Sequence, residues 1–283
     1  MNDVNRAPQP KRMTANEIVS EEIIPLAMGM IFMIATIATI WLCASTTAVA
    51  DSNSPEKEYQ LAVYAAMSPS SDWVSSALFR FNQPTVFVTW TRSSRVPILQ
   101  GKSSTDKHEA DRDIWVTDAA SLKKFCQDFV RLHQGDELAL SLRLKQRLGL
   151  PPSAAYDSFV ELLVDPAKPG GMFRPCGDPS APLDGSTCAL PKNFPRESDV
   201  WDEKPHTGRN AELEAWTLRK YYSSYASVNP YPWTELGYTF DWARAEDGSG
   251  KFVRRGQTEF VIPKGDPINF VSATPTVAYC AAE

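Results

Sequence analysis

IIPLAMGMIFMIATIATIWLC, residues Ile23 to Cys43, divides the chain into a membrane-facing part and everything that follows it. No Asp, Glu, Lys, Arg or His occurs from Ile23 to Ala50. At the helical rise this run spans roughly 31 Å, enough for a hydrocarbon core of about 30 Å. It fits either a retained transmembrane helix or the core of a cleaved signal peptide. Ala48-Val49-Ala50 satisfies the small-x-small cleavage pattern before Asp51. The apolar run, however, exceeds a signal core of about 7–15 residues, and Glu21 and Glu22 stand where a signal peptide carries positive charge.

Thr14 and Glu17 form a capping box, in which hydroxyl and carboxylate each satisfy a free backbone N–H. A helix starting near Ala15 would then run unbroken into the bilayer, with a tolerable kink at Pro25. The spacing therefore predicts a cytoplasmic tail over residues 1–14 and a retained signal-anchor over 15–50, contacting the membrane through residues 23–43. Ala35, Thr39 and Cys43 recur at spacing four and could admit a neighbouring helix, although no GxxxG is present. Orientation follows the basic residues. Arg6, Lys11 and Arg12 precede the run, and Lys57 is alone in the twenty residues after it. The expected product is a single-pass membrane protein with its N-terminus cytoplasmic and the remainder periplasmic or extracellular.

The first 50 residues hold three of the 29 Lys and Arg and four of the 34 Asp and Glu, leaving 26 against 30 in the exported part. That mild acidic balance, with the signs mixed, excludes the clustered basic footprint of a nucleic-acid binder. Cys43 lies in the membrane run, and Cys126, Cys176, Cys188 and Cys280 lie beyond it. Four cysteines in an oxidising compartment predict two disulfides, with three possible connectivities. The expected pairs are Cys176–Cys188, a local staple, and Cys126–Cys280, tying a helix to the C-terminal end. A four-thiolate zinc site is disfavoured because no C-x-x-C occurs.

Along the exported part the pattern predicts α+β architecture: a largely antiparallel sheet with two or three packed helices. Residues 51–82 read as a helical linker region. Ser54 caps a helix with Pro55 at its first position, and a second short helix covers Asp72 to Phe81. The domain proper spans 83–283. Thr85–Trp90 and Ile114–Thr117 read as strands around a polar loop from Ser93 to Asp113. Asp118 caps a helix with Leu122, Phe125, Cys126, Phe129 and Val130 on one stripe, and Gly135 ends it. Leu138, Leu140, Leu142 and Leu144 alternate with small or polar residues and read as a half-buried strand. Phe159–Val164 reads as a central strand.

A Pro-rich loop carrying eight prolines and the stapled cysteines is expected over 165–210, and loops of that length are often functional. Ala211, Ala215, Leu218, Tyr222 and Tyr225 mark one face of a helix. The remainder reads as strands over Gly237–Ala243, Glu259–Ile262, Ile268–Val271 and Val277–Cys280, joined by Gly-containing turns.

Candidate chemistry is sparse. There is no G-x-S-x-G elbow, phosphate loop, dinucleotide fingerprint or haem attachment motif, so no cofactor is expected. Of the three histidines, His133 reads as a helix C-cap, where a cation favours the dipole. His108, Glu109, Asp111 and Asp113 could hold a hard cation, but the EF-hand glycine and bidentate glutamate are missing, and a solvated charged loop is the simpler account. Asp241 and Glu259, on neighbouring predicted strands, could serve as a catalytic carboxylate pair. Asp202, Glu203 and Glu235 offer the same chemistry without a better cue.

Nine aromatic residues fall between Trp216 and Trp242. Tyr222, Tyr225, Tyr238, Phe240 and Trp242 fit the core by periodicity. Tyr231 and Trp233, flanking Pro232 in a loop, are the expected exposed pair and candidate binding residues. The expected function is a membrane-anchored exported binding or accessory domain with a protein partner in the membrane or envelope. The alternative is a carboxylate-dependent or metal-assisted hydrolase acting on an extracellular polymer.

Overall fold

A computed structural model of the chain describes residues 54–101, 110–133, 135–166, 172–177, 182–190 and 209–281. The predicted membrane helix and the Ala48–Ala50 cleavage pattern lie outside these residues, as do His108, Glu109, Asp202, Glu203 and His206. Among the described residues no helix is long and apolar enough to cross a membrane.

Ser54 accepts a hydrogen bond from the Lys57 N–H at 3.3 Å and opens α1 (Pro55–Ala66) with proline in its first turn. This helix is part of the folded domain rather than a separate linker. Its Tyr59, Ala62 and Val63 pack against Phe240 and Trp242. The helix expected over Asp72–Phe81 is reduced to one 3-10 turn, Ser71–Trp73. Leu78 and Phe81 beyond it are buried side chains of an irregular segment.

Six strands form one antiparallel sheet: β1 (Thr85–Thr91), β2 (Ile114–Asp118), β3 (Ser158–Val164), β4 (Tyr238–Arg244), β5 (Phe252–Ile262) and β6 (Asn269–Pro275). Their order is β4-β5-β2-β1-β3-β6, so β3 is interior, as its apolar run predicts. Strand alternation sends Phe87, Ile114, Val116, Val160, Leu162, Phe260 and Ile262 to one face, covered by Phe81, Leu99, Met172 and Ile268. Phe87 meets Phe81 and Phe260 edge-on at 4.9 and 5.2 Å between centroids, contacts worth about 0.5–1.5 kcal/mol each beyond area burial. A short helix, α2 (Val96–Gln100), interrupts the loop predicted over Ser93–Asp113 and contributes the buried Leu99.

Val88, Trp90 and Phe159 face the other way, under α3 (Ala119–Leu132) and α4 (Glu137–Arg147). Asp118 caps α3 by accepting from the Ser121 N–H at 2.7 Å, and Gly135 ends it at φ +78. His133 is the C-cap residue, stacked on Phe129 at 4.0 Å.

The strand expected over Leu138–Leu144 is instead α4. Asp136 caps it by accepting from the Leu138 and Ala139 N–H groups, both at 3.0 Å. Leu, Arg, Lys and Gln are good helix formers. Leu140 and Leu144, four apart, are buried, whereas Leu138 is 85% exposed, so the period is helical. The last predicted strand is corrected in the same way: Thr276–Cys280 is a helical turn after Pro275. It buries the adjacent Tyr279 and Cys280 on the same side, which a strand could not do.

The 165–210 segment is not structureless where it is described. Phe173 bridges Val261, Cys176 bridges Leu236, and a long helix, α5 (Arg209–Tyr225), begins at its end. Arg174, fully buried, donates to the carbonyls of Gly185, Phe79 and Leu183 at 2.6, 2.7 and 3.0 Å and lies over Phe260. Its guanidinium fastens this segment to the sheet, and Cys176–Cys188 closes it. Cys126–Cys280 joins α3 to the C-terminal turn across 154 residues, a closure worth up to about 5 kcal/mol on the chain-entropy account. Two disulfides fit an oxidising, extracellular or periplasmic compartment.

Candidate functional site

On β2 and β5 the residues alternating with the Ile114/Val116/Phe260 core are Trp115, Thr117 and Glu259, which therefore project from the opposite face. Helix α5 and the Tyr231–Trp233 segment are placed by hydrogen bonds over that face. The Trp216 indole N–H donates to Asp113 Oδ2 at 2.7 Å, and the Tyr231 N–H donates to the Ser224 carbonyl at 2.7 Å. The Tyr225 hydroxyl donates to the Trp233 carbonyl, and burial raises its pKa well above the ordinary phenol value. A cleft of about 700 Å³ lies between these elements. Its lining includes Trp115, Thr117, Lys220, Ser224, Tyr231, Trp233 and Glu259, with Arg92, Arg95, Arg112 and Asp113 also contributing.

Two indoles, Trp115 and Trp233, line the cleft, and a third, Trp216, packs against both. Trp115, Trp216 and Trp233 lie 5.9 to 6.2 Å apart between centroids, mostly edge to face, and Phe173 backs Trp216 at 4.7 Å. Lys220 Nζ sits 5.0 Å from the Trp115 ring and 6.0 Å from the Tyr231 ring, a cation-π cradle. Burial pulls the Lys220 pKa below its ordinary value, opposed by the charges of Glu259 and Asp113. Burial pushes Glu259 up to about 8, opposed by Lys220 and by the Trp233 indole. That indole contact falls short of hydrogen-bond geometry, since Trp233 Nε1 and Glu259 Oε1 are both buried without a partner. Burial thus favours the protonated form of Glu259. That state makes it a proton donor, and a carboxylic acid in a cleft can bind an acceptor or serve as a general acid.

The sequence candidates separate on this geometry. Glu259, Tyr231, Trp233 and Asp113 all reach the one cleft, while Asp241 does not. Asp241 pairs in register with Arg254, five residues along β5 from Glu259, on the order of 15 Å at the strand rise. Its carboxylate is held by Arg143 through two hydrogen bonds of 3.0 and 2.8 Å, with Arg147 at 3.6 Å and the Ala243 N–H at 3.1 Å. Asp241 is a structural anchor, and the expected carboxylate pair is not assembled.

Trp233, expected to be exposed with Tyr231, is 5% exposed because the neighbouring indoles enclose it; Tyr231 is half-buried at the cleft. Tyr238, Phe240 and Trp242 are core residues. Of the four possible cation ligands, Asp111 is paired with Arg95 at 2.7 Å and Arg112 at 3.5 Å. Asp113 accepts from Trp216 and from the Lys264 N–H. No cluster able to hold a metal ion occurs among the described residues.

Sequence reasoning missed Trp115, Lys220 and Ser224. Trp216, Lys220 and Ser224 recur at spacing four and so share one face of α5, a stripe adjacent to the apolar one used to predict the helix. That stripe was visible in the chain, but nothing local pairs it with β5. Glu235 is a further buried acid, pushed up to about 7 by burial and held at φ +59, but it does not line the cleft. No protein-family model, curated protein or solved structure matches this chain.

Proposed function

We propose that the chain is a membrane-anchored binding or accessory protein of the cell envelope. In this proposal residues 23–43 are its anchor, and the exported α+β domain holds its ligand in the Trp115/Lys220/Tyr231/Glu259 cleft. The observation that carries the binding role is an aromatic-walled cavity in which a desolvated lysine lies against two rings and Glu259 keeps an unpartnered oxygen. Rigid aromatic walls supply contact area at low entropic cost, and a few placed polar groups orient what enters. The two disulfides agree with an exported domain.

The test is site-directed photocrosslinking of the full chain in native membranes, with the reactive group at Tyr231 and a control at Tyr64, 71% exposed on α1. A stoichiometric adduct from position 231 and none from 64 is the expected result. Adducts from 64 alone, or from neither, contradict a ligand site in the cleft.

A hydrolase acting on an extracellular polymer is favoured by one observation, the neutral acid Glu259 in a cavity. It would need a second group other than Asp241, because glycoside hydrolysis uses carboxyls about 5–10 Å apart. Polymer turnover abolished by Glu259→Gln with folding intact would select this alternative.

A further inference from the structure

Resting on the cleft as the binding site, we propose that its ligand is a ring bearing a single carboxylate. The carboxylate is received by Lys220 with the Ser224, Trp233 and Glu259 side chains behind it, and the ring lies against Trp115 or Tyr231. The hydrogen-bond inventory points to this chemistry. Among the described residues six buried side-chain polar atoms lack a partner, and three of them belong to this cleft: Ser224 Oγ, Trp233 Nε1 and Glu259 Oε1. All three residues are more than nine-tenths buried. Buried polar atoms are normally satisfied, so three orphans around one cavity call for an explanation.

An indole N–H can only donate, a hydroxyl can donate, and a protonated carboxyl donates. With the Lys220 ammonium they form a donor set, and its complement is an acceptor-only group such as a carboxylate. One partly buried ammonium beside two rings suits a monoanion. Arg95 and Arg112 are already paired with Asp111, and Asp113 is engaged by Trp216 and the Lys264 backbone. Lys220 makes cation-π contacts and no ion pair among the described residues, whereas Arg92, the other lining cation without an ion pair there, is exposed to solvent, so Lys220 is the partly buried cation that stands beside two ring faces. A phosphate dianion would call for more than one such cation.

The full chain in detergent is titrated with sodium glucuronate and sodium benzoate, alongside methyl glucoside and benzamide as uncharged counterparts and inorganic phosphate as an anion without a ring. Tryptophan fluorescence and calorimetry report binding. At least one of the two carboxylates should bind about tenfold or more tightly than its uncharged counterpart, the size expected for a charge-assisted contact. Which of the two binds distinguishes a uronic sugar from an aromatic acid. Lys220→Met should reduce that carboxylate to the level of its counterpart, and Lys220→Arg should restore it, which separates lost charge from lost folding. Equal binding of acid and counterpart overturns the carboxylate assignment while leaving a neutral cleft ligand in place. Phosphate binding as tightly as the acids, or silence of every probe, also overturns it.

Discussion

Two buried carboxylates on adjoining strands meet opposite fates. Asp241 on β4, with no exposed side-chain surface, is enclosed by Arg143, Arg147 and a backbone N–H. Glu259 on β5 is nearly as buried, yet it has an unpartnered oxygen, a pKa of about 8 and a lysine that makes no ion pair with it. Burial alone does not mark a functional acid. A buried charge with its partners in place holds two elements together. A buried acid without them stays neutral and keeps its hydrogen-bonding capacity for something else.

The largest expected effect breaks the first half of that contrast. Asp241→Ala leaves two guanidinium groups beside β4 without their counter-ion. It should cost about 3 kcal/mol in urea denaturation, the low end for a broken buried pair because each arginine keeps roughly a fifth of its side chain exposed. A cost within about 0.5 kcal/mol would show that Asp241 is no more engaged than Glu259.

The second prediction concerns pH. Glu259 and Glu235 have folded pKa values raised above those of the unfolded chain, so the native state holds protons that the unfolded state releases. Their contribution to stability is present below the unfolded pKa and is lost as pH rises through about 7 for Glu235 and about 8 for Glu259. Each lowers unfolding free energy by up to about 1.4 kcal/mol per pH unit between roughly pH 5 and its folded pKa. Glu259→Gln should remove one of the two slopes and gain on the wild type as pH approaches 8. Parallel stability profiles for the two proteins would contradict a desolvated Glu259.

The smallest effect belongs to Lys220. Because burial disfavours its charged form, Lys220→Met should change stability by no more than about 1 kcal/mol, in the stabilising direction. A loss larger than that would make Lys220 a structural residue like Arg143.

The contrast also explains what could be read in the chain. Features fixed by local chemistry were legible: the Ser54 and Asp118 caps, the strands over β1 and β3, the α+β class and the 12-residue Cys176–Cys188 staple; Cys126–Cys280, 154 residues apart, was one of three open connectivities. The Leu138–Leu144 run misled because its alternation and its four-residue spacing coexist, and the Asp136 cap tips the balance to helix. Glu259 was legible as a candidate acid, but its neighbour was not. Lys220 and Trp115 come from α5 and β2, and only tertiary packing brings them beside β5. The same packing closed over Trp233, which proline-flanked loop chemistry had suggested would be exposed.

The most direct test is the titration of the Glu259 side-chain carboxyl, followed by carbon NMR on glutamate-labelled chain with Glu259→Gln used to assign the resonance. A midpoint near 8 is the predicted result. A midpoint near the ordinary glutamate value of about 4.3 would mean that Glu259 is a paired or solvated anion, and the distinction from Asp241 would disappear.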